Sequence, residues 1–230
     1  MGTTFFEILS NHALQFIEDP RWQDEIAINP ALFGRAKSQI LINSIPRFNR
    51  PPNIVSKLRF TEPLFDDYEQ TMDTEETNPV ISTSKTEFEI CSTGIVSKDE
   101  DGNIKYDAIG NSYDSETGDV TILGTVHAGD TIQIDFYTDG YFDNDLTQDQ
   151  KRILGLCVAV DWYYKFANSY LNVANLITDK TFQLRSPSEH IRVNTERYRM
   201  IEGKLSAELM AYEQKLYINQ FVSGVALPKV

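Results

Sequence analysis

The chain has 230 residues, with 21 Lys+Arg against 34 Asp+Glu and a formal net charge of −13. Its length fits one large domain or two small ones, and 41% hydrophobic with 11% aromatic residues excludes a disordered chain. The longest apolar run, Ile153 to Val160, has eight residues, far short of the roughly 20 that a membrane-spanning helix needs. The opening MGTTFFEILSNH has neither a basic flank nor a small-residue cleavage site, so a secretory signal is not expected. Cys91 and Cys157 read as buried thiols in a reducing compartment. An intracellular or virion location follows as the expectation.

The acid is unevenly spread. Residues 1–80 carry 7 basic and 12 acidic side chains, 81–146 carry 3 and 14, and 147–230 carry 11 and 8. Such a middle third argues against general wrapping of nucleic acid, because neutralising phosphates needs clustered Lys and Arg.

In chain order, Phe5, Ile8, Leu9, Leu14, Phe16 and Ile17 form a helical stripe, with His12 on or near it, that ends by Asp19-Pro20, since proline disfavours helix in the residue before it. A second helix is predicted over Ala31–Ile45 from the spacing of Leu32, Phe33, Ala36, Ile40, Leu41 and Ile45. Asn29 would cap it and Pro30 open it. Pro46, Pro51 and Pro52 close it, and from Asn49 to Pro79 the chain reads as an irregular connector with an acidic stretch, Asp66 to Glu76.

Strands are predicted next, from two-residue alternation, over Thr86–Cys91, Ile104–Ile109, Val120–Val126 and Thr131–Tyr137. The separators 99–103, Gly110-Asn111, 117–119, 128–130 and Asp139-Gly140 have turn chemistry. Strands so spaced imply a small antiparallel sheet or sandwich.

Thr147-Gln-Asp-Gln150 is a capping box. Behind it Ile153, Cys157, Val160, Tyr164, Ala167, Leu171 and Ala174 step by fours and threes, while Leu154, Val158, Trp162 and Phe166 line a neighbouring face. A helix apolar on two faces should be covered from more than one side. Ser186-Pro-Ser-Glu189 opens another helix, on which Tyr198, Ile201, Leu205, Leu209, Tyr212 and Leu216 form a seam. Running from Pro187 to Phe221, it would be about 50 Å long, with Arg192, Arg197, Arg199, Lys204, Glu208, Glu213 and Lys215 on its opposite face. A helix this long is expected to need partners beyond its own chain.

The fold class predicted is α+β: a helical body with two long C-terminal helices and an inserted small antiparallel β-sheet or sandwich. Residues 1–80 supply the N-terminal helical segment and connector, 81–140 the acidic β domain, and 141–230 a helical segment packing with 1–80.

Chemistry finds little purchase. His12, His127 and His190 are scattered, and none has the spacing of a zinc site. The stretch 98–104 matches the first three ligand positions of an EF-hand loop, but Ile104 stands where glycine is required and Gly110 where the twelfth ligand belongs; a hairpin turn is the reading taken. Cys91 and His127, both in the β segment, could in principle form a nucleophile–base pair, yet a strand cysteine is ordinarily a small hydrophobe. No phosphate loop, Cys-x-x-Cys pair or nucleophile elbow occurs in the sequence. No catalytic residue, cofactor or metal ligand is therefore assigned, and the chain reads as a non-enzyme. The aromatic cluster Trp162-Tyr163-Tyr164, with Phe166 and Tyr170, is helix-packing surface or subunit contact.

The run Ala128-Gly-Asp-Thr-Ile-Gln-Ile-Asp-Phe-Tyr-Thr-Asp-Gly140, leading through Leu146–Leu154 to Trp162, then Asp179-Lys-Thr-Phe182, Ser188-Glu-His190 and the terminal helix, resembles head-to-tail connector (neck or adaptor) proteins of tailed bacteriophages over residues 128–221. The resemblance implies a virion structural protein that docks on a portal protein as a homo-oligomeric ring, often twelve-fold in that family. It implies contacts with tail or neck proteins, passage of genomic DNA without sequence-specific contact, and no membrane. Another neck or tail component, such as a tail terminator, stays open, as do a host- or glycan-binding virion module and a small hydrolase. Interface positions expected on this reading are Trp162, Tyr164, Leu171, Tyr198, Leu205, Tyr212 and Phe221, with the apolar end 221–230 docking on a neighbouring subunit. Part of the acid (99–101 and 114–119) is expected to face the DNA channel or an outer rim.

Overall fold

The computed structural model describes residues 2–18, Trp22, 30–98, 103–168 and 187–222. Among them the fold is α+β: helical segments precede and follow the strands in the chain and pack together in one core beside an antiparallel sheet.

The chain opens with a short helix α1 (Phe5–Glu7) that widens into a π-helical segment, Ile8–Ala13. Thr4 caps it, its hydroxyl accepting from the Glu7 N–H at 3.1 Å. Helix α2 (Pro30–Ser44) follows, then 3₁₀ turns at Ile45–Arg47 and Val55–Lys57. Among the described residues ten strands come next: β1 (Phe60–Thr61), β2 (Leu64–Thr71), β3 (Glu76–Thr77), β4 (Val80–Ser82), β5 (Ile90–Lys98), β6 (Ile104–Asp114), β7 (Asp119–Leu123), β8 (Thr125–Val126), β9 (Thr131–Thr138) and β10 (Tyr141–Phe142). Helices α3 (Gln148–Asn168) and α4 (Pro187–Val222) follow.

Six strands form the main sheet in the order β2-β9-β5-β6-β7-β4, and every pairing is antiparallel. β6 serves two partners: Ile104–Ile109 pair with β5, and Gly110–Asp114 pair with β7. A strand that changes partner part-way turns a corner in the sheet. Inward residues recur with period two, Val120 and Ile122 on β7, then Ile132, Ile134 and Phe136 on β9. Ile81 of β4 belongs to the same buried cluster although β4 and β9 stand far apart in strand order, so the sheet curls over its own core.

The strands depart from three expectations. The supposed connector carries β2, which pairs with β9 from Leu64↔Thr138 to Thr71↔Thr131. Its acids, Asp66, Asp67 and Glu69, disguise it, and charge is suited to an edge strand because it deters a further strand from adding. Gly110-Asn111 is not a turn but the corner of β6; the Asn111 amide reaches the Thr93 hydroxyl at 3.2 Å. The strand expected at Thr86–Cys91 begins only at Ile90. The predicted turn 99–103 lies outside the described residues apart from Asn103.

The second core is helical. α3 runs through it with Ile153, Leu154, Leu156, Cys157, Val158, Ala159 and Val160 all buried. Its cap forms as the sequence predicts: the Gln150 N–H donates to the Thr147 hydroxyl at 3.3 Å, and the Thr147 N–H donates to Gln150 Oε1 at 2.8 Å. Gly155 sits where α3 meets the π segment; a Cβ there would lie 2.6 Å from the His12 carbonyl carbon. Trp22 stands edge-on to Trp162 at 4.9 Å and to Phe33 at 5.5 Å. The Lys37 ammonium lies 4.5 Å from the Trp162 ring centre, so a buried cation rests on an aromatic face.

The first residues strap sheet to helices. The Phe142 N–H donates to the Thr3 carbonyl and the Phe5 N–H to that of Gly140, both at 2.8 Å. The Asp139 carboxylate accepts from the Phe6 N–H at 2.8 Å and from the buried Tyr137 hydroxyl. α2 approaches so closely that a Cβ on Gly34 would fall 2.4 Å from the Tyr137 ring. Burial pushes Asp139 above the usual carboxylate range, opposed by these hydrogen bonds, and drives the Tyr137 phenol upward as well.

Candidate interface

α4 has 36 residues, so it is about 54 Å long at roughly 1.5 Å per residue. Its inner seam packs on α3. Ile201, Leu205, Leu209 and Tyr212 are buried, with Tyr198 and Leu216 half-buried beside them. The Tyr212 ring meets Phe48 at 5.5 Å, and Tyr198 meets Tyr164 at 5.7 Å.

The charges stand beside this seam, and several turn back to the same chain. Lys215 bonds Asp149 at 2.5 Å, Arg197 reaches Glu18 at 3.1 Å, Glu213 faces Arg50 at 3.6 Å, and Glu208 accepts from Arg152. Exposed pairs of this kind are screened by solvent and add little stability; burial of the inner seam against α3 sets the helix's rotation.

That rotation leaves a different face outermost from the one expected. Met200, Gly203, Ala207, Met210, Gln214, Tyr217 and Phe221 step by three and four residues, and all are exposed. At 100° per residue this line lies almost opposite the buried seam. It carries no charge over three heptads. Its large members are 64% (Met200), 48% (Met210), 45% (Tyr217) and 74% (Phe221) exposed, and Ile218 beside them 61%. The charged residues expected on this side flank it instead.

The seven expected interface residues therefore divide. Trp162, Leu205 and Tyr212 are covered by their own chain, and Tyr198 is half-covered, its hydroxyl donating to Glu202 at 2.7 Å. Tyr164 and Phe221 are exposed. Leu171 lies outside the described residues, as does 223–230. Met200, Met210, Tyr217 and Ile218 were missed, though a second three-and-four spacing was present in the sequence to be read.

The titratable candidates are dispersed. Cys91 donates its thiol to Asn111 Oδ1 at 3.2 Å, and burial pushes that thiol up to about 12, opposite to what a nucleophile needs. His127 is exposed, with Nδ1 2.8 Å from Glu75, whose hydrogen bond raises its pKa. His12 is half-buried and lowered by desolvation; the His190 side chain lies outside the described residues. Among the described residues no group of three or more His, Cys, Asp or Glu could hold a metal ion, and no helix is long and apolar enough to cross a membrane.

No family model matches the chain, and no curated protein matches it. Two crystal structures of Xanthomonas campestris FlgL, in space groups H3 and C2, are weakly similar. Identity is 9% in both, with TM-scores of 0.17 and 0.13. The first alignment covers 76% of this chain and 56% of FlgL, the second 74% and 59%. The chain thus spans little more than half the length of these proteins, and likeness at this level carries neither fold nor function.

Proposed function

We propose that this chain is a non-enzymatic structural protein of a tailed-phage virion, a head-to-tail connector. It would form a homo-oligomeric ring on the portal, contribute to the DNA channel and offer a platform to the tail. The observation that carries this reading is the uncharged outer face of α4. One side of the helix is already filled by its own chain, and the other exposes large apolar residues in a line about 30 Å long. Exposed apolar surface of that extent marks an interaction site. Around a ring, a face of this kind would meet a different surface of the next subunit, a heterologous contact that closes. The resemblance across residues 128–221 supplies the virion context.

The β domain suits a surface that DNA passes without sticking. Asp114, at the end of β6, and Glu116, in the turn to β7, stand exposed, and like charge repels phosphate. Two measurements test the reading. Electron microscopy of the protein mixed with the cognate portal should reveal a ring seated on it; portal left bare at saturating protein would overturn the connector assignment. Replacing Asp114 and Glu116 with Lys should slow DNA ejection, and unchanged ejection kinetics would remove that turn from the channel wall.

A further inference from the structure

We infer that, before it meets the portal, the free protein pairs two-fold through the outer faces of α4, the helices of two copies running antiparallel. This deepens the assembly reading and rests on that face being an assembly surface; it names the first occupant as a second copy of this chain.

Spacing supplies the first argument. The three-and-four repeat of Met200, Gly203, Ala207, Met210, Gln214, Tyr217 and Phe221 is that of a coiled-coil seam, separate from the seam already used against α3. Shape supplies the second. With the helices antiparallel and the two-fold axis between Glu208 and Leu209, Ala207 of one copy lies against Met210 of the other. Gly203 then lies against Gln214, and Met200 against Tyr217. Each of these three layers sets a small or slender side chain opposite a larger one, while Phe221 falls opposite the exposed Glu196 at the end of the seam; a Cβ built on Gly203 meets nothing within 4 Å in its own chain, so the backbones can approach closely there.

Charge is compatible with this register. Ser206 of one copy faces Glu213 of the other, Lys204 faces Ala211, and no like-signed side chains are brought together. Arg199 has Glu213 of the second copy as its nearest opposite charge. A parallel pair would instead set Arg199 beside Lys204 of the other helix, a like-charge contact that disfavours it.

Area agrees. At about 200 Å² per fully exposed large side chain, Met200, Met210, Tyr217, Ile218 and Phe221 leave roughly 600 Å² uncovered per copy. Gly203, Ala207, Ala211 and Gln214 add to this, approaching the ≈ 800 Å² per partner of a stable interface. Subunits of a ring beneath a portal all point one way, whereas a two-fold contact turns one copy over. The pair therefore belongs to the free protein, and seating on the portal has to open it, which keeps the apolar face covered until the template arrives.

Light scattering of the full chain at about 100 μM, above the micromolar dissociation of a modest interface, should give twice the chain mass. Ala207→Glu should give the single-chain mass with unchanged helical circular dichroism. A wild-type monomer at that concentration, or an Ala207→Glu variant that is folded and still dimeric, would overturn the pairing. Mixed Ala207→Cys and Met210→Cys chains should form the mixed disulfide faster than either forms its own; faster self-linking of Ala207→Cys would overturn the antiparallel register. Rings on the portal from a monomeric free chain would refute the pair and leave the connector reading standing, while a free pair with a bare portal would do the reverse.

Discussion

α3 and α4 are neighbours with opposite fates. Over Ile153–Val160, α3 is covered on every side by its own chain: the π segment, α2, the turn after α2, and α4. α4 has only one such side. The difference lies in what each sequence offers: α3 is apolar on two faces with Gly155 admitting the π segment, whereas α4 alternates a greasy seam, charged flanks and a second uncharged line. Burial of an element is decided by the neighbours its chain can bring to it, so the same periodicity means core in one helix and interface in the next.

Substitutions can break that contrast if it is wrong. The largest effect is expected at Trp162, where alanine should cost about 3–5 kcal/mol, because Trp22 loses its edge-on partner and Lys37 its aromatic face. Leu205→Ala on the inner seam of α4 should cost about 2–4 kcal/mol in urea unfolding, while Met210→Ala, nearby along the helix but on the outer face, should stay within about 0.5 kcal/mol for the monomer. Equal losses at Leu205 and Met210 would erase the distinction between the two faces. At the start of α3, Thr147→Ala should cost about 1 kcal/mol, through loss of the reciprocal cap.

The junction between sheet and helices gives a pH test. Asp139 is raised, chiefly by burial, from an ordinary value of 3.8. A carboxyl raised in the folded state contributes stability that is present below its unfolded pKa and lost as pH rises through the folded one. Wild type should therefore gain thermal stability relative to Asp139→Asn as pH falls from neutrality toward 4, since asparagine keeps an acceptor for the Phe6 N–H but does not titrate. The reverse slope would contradict the burial argument.

Local signals carried much of the fold. The Thr147 capping box, the alternation on β7 and β9, and the inner seam of α4 were all readable because each rests on residues close together in the chain. What escaped depended on distant partners. β2 is written in acids and becomes a strand only because β9 offers its edge. Gly110 and Asn111 have hairpin chemistry, yet β7 and Thr93 hold them in a strand. Tyr137 and Gly34, more than a hundred residues apart, touch through a contact that no spacing encodes. For the interface, the inner seam was legible, but the charged side chains were expected opposite it; in the fold Arg197, Glu213 and Lys215 turn back to Glu18, Arg50 and Asp149 beside the seam, which leaves the uncharged line outermost.

The most direct test of that outward face is oxidative footprinting of Met200 and Met210, because thioether oxidation follows exposure. Both should oxidise readily in dilute protein and become protected as concentration rises and again in the portal-bound assembly, while Met72, buried in the β core, stays protected throughout. Oxidation of Met200 and Met210 at the same rate in dilute, concentrated and assembled protein would contradict the account.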